Sequence, residues 1–304
     1  MLEIIKTTNI DFMGLKKYAF AFSGAVFLFG LYAVFQIYTG RANLGIDLAG
    51  GTAIQVRFDQ PLRAEEVRRA LGAGGFPDAS LQSVPGENIF IIKVSARGKE
   101  ERMVGERVVG LLQEAFPSNP QTVESVAEIG PAIGKKLRRD ALFALAVSAA
   151  AIILYLAWRF EFKFGVAAAI ATFHDVVMLV GIFYLLGREM DLLFITALLT
   201  IGGYSLTDTV VVFDRIRENV RLRKKGTFSE TINLSVNEVL SRTVITSLTT
   251  FMACTALLLF GGIVLKDFSL ALAIGIIIGT YSSIFVASPI IAIWRGEKMV
   301  QVKR

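Results

Sequence analysis

The sequence predicts an α-helical polytopic membrane protein with six transmembrane helices and one soluble α+β domain. Two observations predict it. Of 304 residues, 54% are hydrophobic, more than a single water-soluble core needs. These residues gather into six stretches that approach the ~20 residues required to cross ~30 Å of hydrocarbon. Between the first two stretches lie about a hundred residues of ordinary soluble composition.

The apolar stretches run Tyr18–Tyr38, Leu142–Trp158, Gly165–Leu186, Leu192–Val212, Val244–Val264 and Phe268–Ile293. Lys16 and Lys17 give the first a signal-like flank, but its apolar run exceeds a signal core and five further stretches follow, so a retained helix is expected. The chain then divides into 1–38 (N-terminal segment and first helix), 39–137 (external domain), 138–293 (five-helix region with an amphipathic cytoplasmic segment, about 213–241) and 294–304 (tail). The one cysteine, Cys254, stands inside a stretch, which excludes an internal disulfide and a cysteine metal cluster.

The formal net charge of +6 follows the membrane rather than nucleic acid. Most Lys and Arg outside the domain flank one side of the predicted bilayer, whereas the two short opposite loops carry only Arg188 and Lys266. This asymmetry predicts both termini in the cytoplasm and residues 39–137 on the outer face of the membrane. Lys135, Lys136, Arg138 and Arg139 run against it, just ahead of the second stretch. Long translocated domains obey the rule weakly, so the orientation stands.

Within the domain, Gly51–Phe58 alternates like a strand, and Pro61–Ala73 opens with Pro and acidic Glu65 and Glu66 like a helix. The turn at Pro85-Gly86-Glu87-Asn88 separates strand-like Ala79–Val84 from Ile89–Ser95. Lys99–Phe116 has helical spacing, and Thr122–Ile129 reads as a last strand. The order β-α-β-β-α-β is the split βαβ, ferredoxin-like plan. In 213–241, the break at Gly226 predicts two short helices. Thr227-Phe228-Ser229-Glu230 has the form of a capping box, and the helix it starts is expected along the membrane surface.

No nucleophile elbow, phosphate-binding loop or paired histidines appear, so nucleotide hydrolysis and bound metal or cofactor are not expected. The Gly-rich run at Gly45, Gly50 and Gly51, with Asp47 inside it, precedes a strand rather than opening a helix. It serves better as tight turns between membrane and domain than as a phosphate cradle.

Chemistry is expected inside the bilayer, where an ionisable side chain costs about 2.5–3.5 kcal/mol on insertion scales. Asp208 lies in the fourth stretch with Gly203, Tyr204 and Thr207. Arg242 opens the fifth ahead of Thr243, Thr246, Ser247, Thr249 and Thr250, and His174 and Asp175 centre the third. An aspartate near an arginine and hydroxyls is the equipment of a proton relay. A static Asp208–Arg242 pair, an Arg242 that reaches headgroups, and a His174–Asp175 pair that only packs helices are the alternatives. Gly275 and Gly279 form a GxxxG pattern that predicts a helix-packing face.

Three runs together resemble one family. Gly45-Ile46-Asp47-Leu48-Ala49-Gly50-Gly51-Thr52, the run Gly203 to Asn219 around Thr207-Asp208-Thr209, and Ser241 to Thr250 are similar to motifs of SecF proteins in the SecD/SecF family. The resemblance covers essentially the whole chain, and the second motif is highly specific. It implies half of an RND-type transporter that pairs with SecD, associates with the SecYEG channel and YajC, and contacts translocating secretory proteins and membrane lipid. It further implies use of the proton-motive force in protein export, with Asp208 and Arg242 in proton coupling. Leu48 stands where the family usually has phenylalanine, and Thr207 where an asparagine commonly precedes the aspartate. Half of a proton-coupled exporter of small molecules or lipids is the alternative reading, and a non-transporting scaffold is a third.

Overall fold

A computed structural model describes residues 8–84, 86–95, 104–222 and 226–296. Among them are six helices long and apolar enough to cross a membrane. The first is α1 (Lys16–Tyr38), followed by a one-turn helix α2 (Ile46–Ala49). The domain consists of β1 (Gly51–Phe58), α3 (Ala64–Ala73), β2 (Ser80–Ser83), β3 (Ile89–Ser95), α4 (Val104–Ala115) and β4 (Gln121–Ile129). The chain continues through α5 (Pro131–Arg159), α6 (Phe162–Leu185), α7 (Leu192–Leu222), α8 (Phe228–Phe260) and α9 (Gly262–Ser282). A π-helical turn, Ser283–Ala287, joins α9 to α10 (Ser288–Arg295) as one last span.

The domain has the expected split βαβ plan. Its strands lie in the order β2-β3-β1-β4, with every neighbouring pair antiparallel. Alternation along β1 buries Ile54, Val56 and Phe58 against Val67, Leu71, Val108 and Leu112 of α3 and α4. The turn residue Pro85 and the start of the domain's expected second helix, 99–103, lie outside the described residues.

Glycine sets how closely the helices approach. A Cβ on Gly30 of α1 would stand 2.4 Å from the Val177 carbonyl oxygen of α6, and one on Gly181 would stand 2.8 Å from the Gly30 Cα. The Gly275/Gly279 pattern faces α7, where added Cβ atoms would meet Ile201 at 2.4 Å and Ser205 at 3.0 Å. Backbones can only come this near where small residues line the contact. At the domain junction, Gly50 and Gly51 have φ of 81° and 151°, and Gly134 of α5 passes so near Gly50 that a Cβ would lie 2.8 Å from its nitrogen. The Gly-rich run therefore acts as the expected turn, with α2 as an added single helical turn.

Two expectations are corrected. Residues 228–240 are not a separate helix on the membrane surface, because α8 runs unbroken for 33 residues. The capping box forms at Thr227 and Glu230 as expected, but no Gly or Pro interrupts the backbone ladder between 231 and 260. The long ends of α7 and α8 instead pair with each other, through Arg215 to Glu238 at 2.7 Å and Asn219 to Ser235 at 3.0 Å. The fifth span also ends earlier than hydropathy suggests, at Gly261 and Gly262, where Gly262 takes φ of 75°. Lys266 and Asp267 consequently belong to the first turns of α9.

Replacing Gly279 by leucine forces four heavy atoms into the α7 contact. The expected loss is about 1–3 kcal/mol of stability, read as a lower unfolding temperature of the purified chain in detergent. Gly203, whose Cβ would meet open space, is the matched control and should tolerate alanine.

Candidate functional site: two carboxylates in a hydroxyl-lined bundle centre

Asp175 of α6 is fully buried. Its Oδ2 accepts from Ser282 Oγ of α9 at 2.6 Å and from Ser205 Oγ of α7, and its Oδ1 faces His174 Nδ1 at 2.9 Å. A carboxylate in apolar surroundings is tolerated only when its lone pairs find donors, and here three helices supply them. His174 stacks on Phe27 of α1, with ring centroids 5.9 Å apart, and its Nε2 is buried without a protein partner.

Asp208 lies on α7 three residues beyond Ser205, one helical turn from the serine that donates to Asp175. Its Oδ2 accepts from Ser247 Oγ of α8 at 3.3 Å. Thr280 Oγ1 of α9 lies 2.7 Å from Ser247 Oγ and 2.8 Å from the Ile276 carbonyl oxygen. The result is a hydroxyl chain, Asp208–Ser247–Thr280, across three helices. Directly after Thr280 and Ser282 the last span changes to π-helical pitch, with Ser288 Oγ donating back to the Ser283 carbonyl at 2.8 Å. Such bulges re-aim side chains within a helix.

The other expected residues are placed differently. Arg242 is exposed and makes no ion pair with Asp208, although its charge is within electrostatic reach of it. Thr207 is exposed and its hydroxyl donates to the Gly203 carbonyl of its own helix at 3.2 Å, so the missing family amide is not replaced by Thr207. Thr246 likewise bonds its own helix, at the Arg242 and Thr243 carbonyls, and the Tyr204 hydroxyl is buried without a protein partner. Gly45, Asp47, Gly50 and Gly51 stand at the domain junction, away from both carboxylates. Ser205, Thr280 and Ser282 were not expected. A trace of them was available in the sequence, as hydroxyls one helical turn from Asp208 and beside the GxxxG pattern.

A second polar joint lies between domain and bundle. Glu189, in the loop between α6 and α7, receives Lys93 Nζ of β3 at 2.9 and 3.0 Å on its two oxygens. Backbone bonds from Gly45 to Met190 and from Met190 to Asn43, both 2.9 Å, hold the same loop against α2. Burial pushes the Glu189 carboxyl above its ordinary range, with the Lys93 ammonium opposing that shift.

Asp175→Ala removes the acceptor of Ser205, whereas Ser282 keeps the Gly279 carbonyl oxygen at 3.2 Å. The expected destabilisation is about 1–3 kcal/mol for the Ser205 hydroxyl left unpaired, whereas Thr207→Ala should stay within about 0.5 kcal/mol; chemical or thermal unfolding separates them. Because the folded Glu189 holds its proton more tightly than the unfolded chain does, stability should fall as pH rises from the ordinary glutamate value of 4.5 through the raised one. Unfolding temperature measured against pH should lose that slope in Glu189→Gln.

Comparison with known proteins agrees with this architecture. Residues 111–297 match the family described as protein export membrane protein SecD/SecF, C-terminal, and residues 41–62 match the SecD/SecF GG motif. The protein translocase subunit SecF of Thermodesulfovibrio yellowstonii is 51% identical over 303 residues, covering 99% of this chain and 100% of the relative. The protein translocase subunit SecDF of Thermus thermophilus is 40% identical over 96% of this chain and 40% of its own length. The crystal structure of SecDF from that organism, described as a translocon-associated membrane protein, superimposes with a TM-score of 0.78 at 39% identity, over 97% of this chain and 39% of that one. A second SecDF structure, the super-membrane-facing form, gives 0.71. Six spans, one split βαβ domain and two sequence motifs in register with these relatives place the chain in the SecD/SecF family, as a multi-pass membrane protein of the SecF type.

Proposed function

We propose that this chain, an auxiliary subunit of the Sec protein translocase, couples proton movement to protein export through Asp208. The observation that carries the proposal is the hydroxyl chain Asp208–Ser247–Thr280. An ionised Asp208 is an acceptor only, so Ser247 donates to it and Thr280 donates to Ser247. A protonated Asp208 can donate to Ser247, which then donates to Thr280, and Thr280 turns its proton to the Ile276 carbonyl within reach at 2.8 Å. One proton thus reverses the polarity of contacts joining α7, α8 and α9, and biases their packing between two states.

The positive-inside asymmetry supports residence in the cytoplasmic membrane, with both termini inside and the domain outside. In that orientation protons enter from the domain side and leave toward the termini. Each charge crossing the field is worth about 2.3 kcal/mol per 100 mV, so a few protons suffice for a domain movement. The Lys93–Glu189 joint gives the bundle a handle on the domain. The SecDF relative unites SecD and SecF in one chain, which supports SecD as partner. Arg242 and the exposed hydroxyls of α8 form a face suited to a neighbouring polar helix. The SecYEG channel, YajC and secretory proteins in transit are the further partners in this reading.

Asp208→Asn preserves size and hydrogen bonding but cannot ionise. In proteoliposomes carrying the complete translocase and a proton gradient, it should lower gradient-stimulated export at least tenfold while unfolding temperature stays within a few degrees. Undiminished stimulation contradicts the proposal.

A further inference from the structure

The helix α5 joins the bundle at Leu156 and leaves most of its length uncovered. Leu142, Phe143, Val147, Ile153 and Leu154 along it are each at least half exposed, and between α5 and α1 opens a cleft of about 1140 Å³ floored by α6 and α7. Its walls are hydrocarbon: Leu145, Ala149 and Ile153 on one side, Phe27 and Val34 on the other. From Arg138 to Ala157, both in its lining, the cleft follows α5 for ~28 Å, most of the thickness of a bilayer core.

Extended hydrocarbon chains fit such a trough. Charge selects the occupant. Arg138 lines the mouth of the cleft on the side of the soluble domain, and Lys135 precedes it by three residues, on the same face of α5. Arg139 is paired with Asp140 at 3.4 Å, whereas among the described residues Lys135 and Arg138 have no ion-pair partner. These are members of the basic cluster that runs against the positive-inside asymmetry. An apolar trough of bilayer depth with two uncompensated cations at one mouth matches one ligand chemistry.

We propose that this cleft binds an anionic phospholipid from the leaflet nearest the soluble domain, with its phosphate on Arg138 and Lys135 and an acyl chain along α5 facing α1. The basic pair fixes the headgroup, and Leu44 and Leu48, at the base of the domain, close the rim over it. A bound lipid thereby joins α1, α5 and the domain junction at a place where protein packing alone leaves a gap.

Native mass spectrometry of the full chain, titrated with phosphatidylglycerol or phosphatidylcholine in detergent, tests this. One phosphatidylglycerol should be retained at least tenfold more tightly than phosphatidylcholine. Lys135→Gln with Arg138→Gln should remove the preference, by about fivefold per charge if each contributes the ~1 kcal/mol usual for a basic residue at a membrane surface. Ala149→Phe, which fills the trough, should abolish retention of the tight lipid. The glutamine variants alter only surface charge, so they decide the matter should Ala149→Phe fail to fold. Equal retention of the two lipids, or a double variant with unchanged preference, overturns the proposal. In membranes, a photocrosslinking residue at Leu145 should yield a phospholipid adduct; a polypeptide adduct there assigns the cleft to a partner helix and overturns it as well.

Discussion

A polar side chain in hydrocarbon must find its hydrogen bonds within the protein, because no water competes for them. Asp175 takes donors from α7, α9 and its own helix, and Asp208 takes one from α8 that is itself linked to α9. The arrangement of the bundle follows from this requirement. Serines reach Asp175 only if α6, α7 and α9 meet closely, and Gly279 against Ser205 permits that distance. Small residues and hydroxyls are two halves of one device: glycine brings the backbones together, and the hydroxyls make use of the proximity.

The two carboxylates differ in what their surroundings allow. Asp175 is saturated with donors and enclosed on all sides, which suits a fixed structural centre. Asp208 holds a single longer contact at 3.3 Å to a serine whose own partner has a second acceptor in reach. That slack lets a proton change the hydrogen-bond pattern without breaking the helix contacts. The Lys93–Glu189 joint extends the same logic to the membrane boundary, where a partly buried ion pair ties the sheet to the loop heading α7. Movement in α7 therefore has a direct polar connection to β3.

Much of this was legible in the sequence. The two-residue period of β1 and the 3.6-residue period of α4 encode which face is buried, and the turn chemistry encodes the split βαβ order. Asp208 and Asp175 stood out because charge in an apolar stretch is costly wherever it falls. Their partners did not stand out, since serine and threonine are common in membrane helices and usually bond their own backbone, as Thr207 and Thr246 do. Only three-dimensional packing distinguishes Ser205, Thr280 and Ser282 from these. Hydropathy also misplaced the α8–α9 turn, because Val264 and Leu265 beyond the Gly261-Gly262 break are as apolar as the span before it.

The central claim is that Asp208 gains and loses a proton and that Thr280 registers the change. Infrared difference spectroscopy of the reconstituted chain, recorded between acidic and alkaline buffer, reads the protonated carboxyl stretch directly. One component of the pH-dependent carboxyl band, isolated as the difference between the parent chain and Asp208→Asn, is predicted, and it should shift in frequency in Thr280→Val. Superimposable spectra of the parent chain and Asp208→Asn, or a component indifferent to Thr280, would contradict the claim.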